Sequence, residues 1–355
     1  MKILYGLPSE GMGHATRSNV IISHLLEHHD VRIVTSDRAY LFLKERFPDR
    51  VYEIKGFHLA YKNGKVSKYN SASLLLKNGP KDLITNFKKY WIVHKEFKPD
   101  LVISDFDSFA FFFAKFNKTP LISIDNIQVL NRCKLDFPIP KAEKSNYRIA
   151  KNIVKAKVPN ANYYLITSFF NAQTIKKNTS LVPPILRNKI LTKHSKAGEH
   201  ILIYQTSAIQ NNMINNIMGV LNQIPGINFI VYGFNKSELH NNVTLKEFNE
   251  DGFIEDLSSA KAVISNGGFS LLSEAVYFKK PVCSVPIKGQ FEQYVNAAYI
   301  EKSGYGRHFN ELSSDAIKSF LFDLDVFQHN VNQYKQNGNN EAFKKLDEII
   351  DIVTR

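Results

Sequence analysis

Two successive α/β units, each a parallel sheet with crossover helices and the pair facing across a cleft, are what this sequence predicts. Three observations carry the prediction. Short apolar runs alternate with helical stretches from the first residues onward. That rhythm stops over 169–197 and restarts at His200. At 355 residues the chain also exceeds the size at which a single hydrophobic core is usual.

The elements follow in order. A strand is expected over Lys2–Gly6, a helix over 16–28, a strand over 31–35 and a helix over 38–47. A long helical stretch over 70–97 carries Leu74, Leu75, Leu83, Ile84, Phe87 and Trp91 among lysines, and Pro99 ends it. Residues 101–104 read as a buried strand, 106–116 as a helix and 121–124 as the next strand. Phe109, Phe112, Phe113 and Phe116 have the spacing of one helix face, which predicts a core-facing stripe rather than a membrane anchor. Residues 163–167 close the first sheet. The stretch 169–197 holds six basic residues and no acid, lacks periodicity and reads as an interdomain linker. The expected domains are therefore 1–168 and 198–355, each Rossmann-like in rhythm. In the second, strands are expected over 200–204 and 227–232 with a helix over 211–223 between them. At the end of the chain Phe343, Leu346, Ile349, Ile350 and Val353 mark one helix face.

The most informative stretch is S-N-G-G-F-S-L-L-S-E, which follows the apolar run 262–264. Gly267 and Gly268 turn the chain into a helix whose first free N–H groups would meet a diphosphate without side-chain hindrance. Ser270 can add a hydroxyl. Glu274, one helical turn later, can accept from both hydroxyls of a ribose. A second strand over 282–285 ends at Pro286 and leads to Gln290, Glu292 and Gln293, whose amides and carboxylate suit the hydroxyls of a sugar. In the first half, L-P-S-E-G-M-G-H follows the first strand. Gly11 and Gly13 permit a tight turn there, and His14 stands near the start of a helix, where an imidazole can act as a general base. L-V-I-S-D-F-D ends a later strand of the same half. Asp105 is the candidate partner of His14, with Asp107 as the alternate and helix capping as the plain structural role.

Bulk properties narrow the classes. Cys133 and Cys283 fall in different halves with neither zinc nor redox spacing, which fits a reducing compartment. Pro8 and Glu10 come too early for a signal peptide, and no run approaches the roughly 18 apolar residues of a membrane span. A cytoplasmic protein is expected. Residues 1–168 carry 27 Lys and Arg against 15 Asp and Glu, whereas residues 198–355 carry 13 against 18. The basic first half fits either a solvated lysine-rich surface or a face toward something anionic, such as the inner leaflet of the cell membrane or an acidic glycan. The stretch 147–158, with Arg148, Lys151, Lys155 and Lys157, suits such a peripheral position. No finger or RNA-binding signature accompanies the charge, so no nucleic-acid partner is expected.

The run F-I-E-D-L, A-V-I-S-N-G-G-F-S-L-L-S-E-A, K-K-P-V, V-P, Q-F-E-Q and N-A-A, between Asp251 and Gly306, resembles the donor-binding half of inverting GT-B glycosyltransferases that use UDP-sugars. The likeness is to the group of the lipid-linked peptidoglycan N-acetylglucosaminyltransferase, the glycolipid synthases and the small-molecule UDP-glycosyltransferases. It implies a GT-B fold with a last helix crossing back to the first domain, a first domain that binds acceptor and a second that binds the UDP-sugar. It implies hexosyl transfer to an acceptor hydroxyl without a metal ion or other cofactor, the acceptor lipid-linked or anionic. By the same resemblance, His14 is the base and Asp105 orients it. Backbone groups of Phe253 and Ile254 read uracil, Gly267 and Gly268 take the diphosphate, Glu274 the ribose, and Gln290, Glu292 and Gln293 the sugar. Two departures stand out. The first loop of the second domain, Y-Q-T-S-A, keeps Ser207 but lacks glycines, and Asn266 precedes the Gly-Gly pair. Three other readings stay open: a UDP-sugar epimerase of the same fold, a non-catalytic sugar-nucleotide binder, and an NAD enzyme using Gly11, Gly13 and Asp37, although Thr16 replaces the third glycine of that fingerprint.

Overall fold

The computed structural model describes residues 1–9, 11–56, 61–62, 65–66, 85–205 and 211–355. Within the first sheet, strands β1 (Lys2–Gly6), β2 (Asp30–Thr35) and β3 (Val51–Glu53) come first in the chain. A two-residue hairpin, β4 (Tyr61–Lys62) with β5 (Lys65–Val66), stands apart from it. Then come β6 (Leu101–Ser104), β7 (Leu121–Asp125), β8 (Tyr163–Thr167) and β9 (Thr179–Val182). The order β3-β2-β1-β6-β7-β8-β9 is parallel throughout. The central strands β1, β6, β7 and β8 are buried along nearly their whole length, the pattern of a parallel sheet covered on both faces. The strand order reverses between β1 and β6, so the loops leaving their carboxyl ends diverge and leave a crevice for a ligand.

The second sheet repeats the plan with β10 (Ile201–Tyr204), β11 (Phe229–Tyr232), β12 (Glu238–His240), β13 (Val243–Lys246), β14 (Ala262–Ser265), β15 (Val282–Ser284) and β16 (Gly306–His308). Its order is β12-β13-β11-β10-β14-β15-β16, parallel except for the exposed edge strand β12. Here the reversal falls between β10 and β14.

The chain divides into two compact units, residues 1–187 with 337–355, and residues 188–336. This corrects the linker expected over 169–197 and the boundary expected at the end of the second domain. Four residues, T-S-L-V, suffice to add β9 beside β8, and a run that short among lysines gives no periodic signal. The final helix, Asn340–Thr354, returns to the first unit as expected: Leu346, Ile349 and Ile350 lie in that unit's core with Ile21, Leu25 and Leu165. Asn339 fixes its start, since its side chain accepts from Leu186 N at 2.8 Å and donates to Leu186 O at 2.9 Å.

Two helices differ from expectation. The first begins at Met12, not near residue 16, so Gly13 is helical and only Gly11, at φ +83°, turns the chain. On helix Ser108–Asn117 the core face is Ala110, Phe111, Phe113 and Ala114, while Phe112 and Phe116 are 52% and 71% exposed. Every residue over 109–114 is apolar, so the pattern has no polar side from which to phase the helix. Of the long stretch expected over 70–97, its first part lies outside the described residues, and the remainder is helical to Phe97.

Candidate active site

In the first unit, β1 ends in a loop that Gly11 turns into the helix Met12–Leu25. His14 is the third residue of that helix, and its side chain is 17% exposed. Asp105, fully buried, follows β6 directly, with its N–H on Gly6 O at 2.8 Å. The two meet across the reversal point, His14 Nδ1 lying 3.0 Å from Asp105 Oδ1. Arg17, one turn further along the helix, donates from Nη2 to the same oxygen at 2.5 Å and from Nη1 to Asn126 Oδ1 at 3.1 Å. Ser18 donates to Asp105 Oδ2 at 3.1 Å, and its hydroxyl lies 3.1 Å from that of Tyr5. Burial alone would push Asp105 up, but the Arg17 guanidinium and His14 outweigh it and hold the carboxyl below its ordinary value. A carboxylate facing Nδ1 favours the tautomer with its proton there, which leaves Nε2 as the acceptor.

Asp107, the alternate partner, does something else. It caps the helix Ser108–Asn117, accepting from Ala110 N at 2.7 Å. At the end of β7, Asp125 accepts from Ser123 Oγ and Gln128 N. Burial, with the neighbouring Asp105 adding to it, pushes Asp125 up to about 6. Sequence reasoning missed Arg17, Ser18, Tyr5 and Asn126. The available signal was Arg17 itself, a cation three residues from His14 on one helix face.

In the second unit, β14 runs into Asn266, Gly267 and Gly268, and the helix Phe269–Tyr277 follows with Gly268 as its N-cap and no capping side chain. Its first backbone hydrogen bond runs from Leu272 N to Gly268 O, so the N–H groups of Ser270 and Leu271 have no intrahelical acceptor. Gly267 sits at φ +87°, and a Cβ there would meet Gln293 O at 2.9 Å and Ser284 Oγ at 3.0 Å. Gly268 has an ordinary φ of −64°, and among the described residues a Cβ on it would meet nothing within 4 Å. The protein's own packing thus explains the first glycine and not the second. Around this turn Asn296 Nδ2 donates to Gly267 O at 3.0 Å, and among the described residues the buried Ser284 hydroxyl has no hydrogen-bond partner.

Ser270 is half-buried and Glu274 is buried on the same helix. Gln290 caps the helix Phe291–Lys302, where Glu292 is half-buried and Gln293 is buried. Gln293 Oε1 accepts from Ile287 N at 2.9 Å, which commits half of that amide to holding the loop. Phe253 and Ile254 are the residues whose backbone the resemblance gave to uracil. Both stand inside the helix Glu250–Ser258 with buried side chains, and Phe253 N is already bonded to Asn249 O. Ser207 lies outside the described residues. Among them, no group of three or more His, Cys, Asp or Glu is placed to share a metal ion.

A family model described as glycosyl transferase family 1 matches residues 1–325. The chain belongs to that family. An uncharacterized glycosyltransferase of Methanosarcina acetivorans is 25% identical over 335 residues, 86% of this chain and 85% of its own length. The UDP-N-acetylglucosamine–N-acetylmuramyl-(pentapeptide) pyrophosphoryl-undecaprenol N-acetylglucosamine transferase of Clostridium kluyveri is 26% identical over 166 residues, 42% of this chain and 46% of its own. Among solved structures, UGT2 of Phytolacca americana, complexed with UDP-2-fluoro-glucose and pterostilbene, superposes with a TM-score of 0.70 over 99% of this chain and 98% of its own, at 14% identity. At that identity the likeness speaks for the fold alone. The protein is a glycosyltransferase of GT-B architecture, as its sequence led us to expect.

Proposed function

We propose that this glycosyltransferase moves a sugar from a UDP-sugar to an acceptor hydroxyl with inversion at the anomeric carbon, using His14 as general base and no metal ion. The observation that carries the reading is the His14–Asp105 pair at the strand reversal of the first sheet. In the step, the acceptor O–H gives its proton to Nε2 of His14 as its oxygen attacks the anomeric carbon. The bond from that carbon to the β-phosphate oxygen breaks, and UDP leaves with the electron pair. Asp105 then faces a protonated imidazole across a hydrogen bond it already makes.

The second unit supports the donor half of this reading. Among the described residues, its uncapped helix start, the open space over Gly268 and the unpartnered Ser284 hydroxyl fit a diphosphate. Helix N–H groups would stabilise the departing charge without a cation. Glu274, one turn along the same helix, is our candidate for the ribose, and Gln290, Glu292 and Gln293 are our candidates for the sugar. Ser207 is kept as a further candidate phosphate contact on the resemblance alone.

The acceptor half belongs to the first unit, and we assign it a lipid-linked or anionic acceptor reached at an anionic membrane surface. Support comes from the exposed rings of Phe87, Trp91, Phe112 and Phe116. They run in contact through Tyr90 with ring centroids 6.1–6.4 Å apart and are flanked by exposed Lys88, Lys95, Lys115 and Lys118. No helix among the described residues is long and apolar enough to cross a membrane.

The test is a panel of UDP-sugars, each with and without sugar-bearing lipid acceptors, in EDTA. The reading expects UDP release that depends on acceptor, a product whose anomeric coupling is opposite to the donor's, and no response to manganese. Conversion of the UDP-sugar with no acceptor present would instead identify an epimerase, and retained anomeric configuration would remove the single-displacement step.

A further inference from the structure

Arg17 takes no part in the step just described, yet its two terminal nitrogens meet Asp105, Asn126 and His14, while among the described residues its buried Nε has no partner. It is 4% exposed, so its charge cannot meet a substrate phosphate, and whatever it does is done through its neighbours. Burying a guanidinium is costly unless its partners are well placed. Its Nη2 lies on Asp105 Oδ1 and its Nη1 on Asn126 Oδ1, which joins the helix Met12–Leu25 to the ends of β6 and β7.

We propose that Arg17 is a positioning residue: it serves as the fixed counter-ion of the Asp105 carboxylate, so that His14 hydrogen-bonds to a neutralised pair and stays uncharged with Nε2 open. The inference rests on the general-base reading of His14 and names what keeps that base ready. Among the described residues, the cations acting on Asp105 are Arg17 and His14. Among the described residues, the other titratable groups around the cluster are Tyr5 on β1, Asp107 beside β6 and Asp125 on β7, none of which can supply a positive charge, and Lys157, a cation that acts on Asp107 and not on Asp105. Without Arg17, a fully buried carboxylate would have the imidazole as its nearest source of positive charge, and would draw a proton onto the ring. With Arg17 present, Nη2 also lies 3.2 Å from Nδ1, where a second positive charge is repelled. A base must be unprotonated at the start of turnover, so the counter-ion and the base are needed together.

The test uses full-length protein labelled with ¹⁵N in its histidine rings, the His14 signals being those lost in His14→Gln. Spectra are compared at a pH where His14 of the unaltered protein is neutral. Arg17→Met is expected to show an imidazolium ring for His14, a shift of roughly tenfold or more in the charged-to-neutral ratio. Arg17→Lys, which keeps a cation beside Asp105, is expected to return the neutral pattern. Arg17→Gln serves as a second uncharged variant should Arg17→Met fail to fold by circular dichroism. A neutral His14 in either folded uncharged variant overturns the proposal. Because the readout needs no turnover, a catalytically idle His14 would show separately, as undiminished activity in His14→Ala.

Discussion

At the scale of single residues, the two adjacent glycines of the second unit make different predictions. Gly267 is held by its backbone: φ +87° and the close Gln293 carbonyl mean that Gly267→Ala should cost about 1–3 kcal/mol, read as a lowered melting temperature. Gly268→Ala meets no atom of the described residues within 4 Å and keeps an accessible φ, so its melting temperature should stay unchanged or rise slightly. If a diphosphate fills the space above it, UDP affinity should nevertheless fall by tenfold or more, a comparison that calorimetric titration makes directly. Undiminished UDP binding by Gly268→Ala would place the nucleotide elsewhere. On the other unit, Asp107→Ala removes a helix cap and should cost about 1 kcal/mol while leaving the His14–Asp105 pair in place.

Secondary-structure elements divide into those the sequence reveals and those it hides. Strands β1, β2, β6, β7, β8, β10, β11, β14 and β15 are legible because each is a compact apolar run bounded by polar or turn residues. The short strands β3, β9 and β16 are not, since V-Y-E, T-S-L-V and G-R-H carry polar or charged residues and do not stand out from their surroundings as apolar runs. The return of the last helix was legible from its apolar stripe. Its anchor, the paired hydrogen bonds of Asn339 with Leu186, was not, because it joins residues 153 apart in sequence. Asn339→Ala would leave both main-chain groups of Leu186 buried without partners, and a loss of about 2–4 kcal/mol in urea unfolding is expected. The site was legible where a residue type has few uses beside a Gly-rich turn, as with His14 and Gly267. It was illegible where an ordinary residue gains its role from a distant neighbour, as with Arg17 and Ser284. The resemblance gave uracil to the backbone of Phe253 and Ile254, and within the helix Glu250–Ser258 the Phe253 N–H already has Asn249 O as its acceptor.

Across the molecule, each unit carries its candidate chemistry at the reversal point of its own sheet, His14 and Asp105 in the first, Gly267 and Gly268 in the second. The buried acids beneath His14 give stability a pH dependence with two opposite parts. Asp125 has a folded-state value raised from 3.8 to about 6, so its contribution is fully present below 3.8 and is lost as pH rises through about 6. Asp105 is held below its ordinary value, so its contribution is present above 3.8 and is lost as pH falls further. Asp125→Asn should therefore raise the melting temperature above pH 6 and have little effect near pH 4, whereas an equal effect at both would mean that the carboxyl titrates normally. The exposed aromatic rings beside Lys88, Lys95, Lys115 and Lys118 predict co-sedimentation with anionic lipid vesicles. That binding should weaken with salt and be reduced in Trp91→Ser/Phe116→Ser; sedimentation indifferent to both changes would reject this surface.

The central claim is that His14 takes the acceptor's proton while the second unit holds the donor independently of it. Turnover and UDP affinity of His14→Ala, measured side by side with the unaltered enzyme, test it most directly. The account predicts a fall in kcat of roughly 100- to 10,000-fold with UDP affinity unchanged. A kcat within a few-fold of the unaltered enzyme's would contradict it.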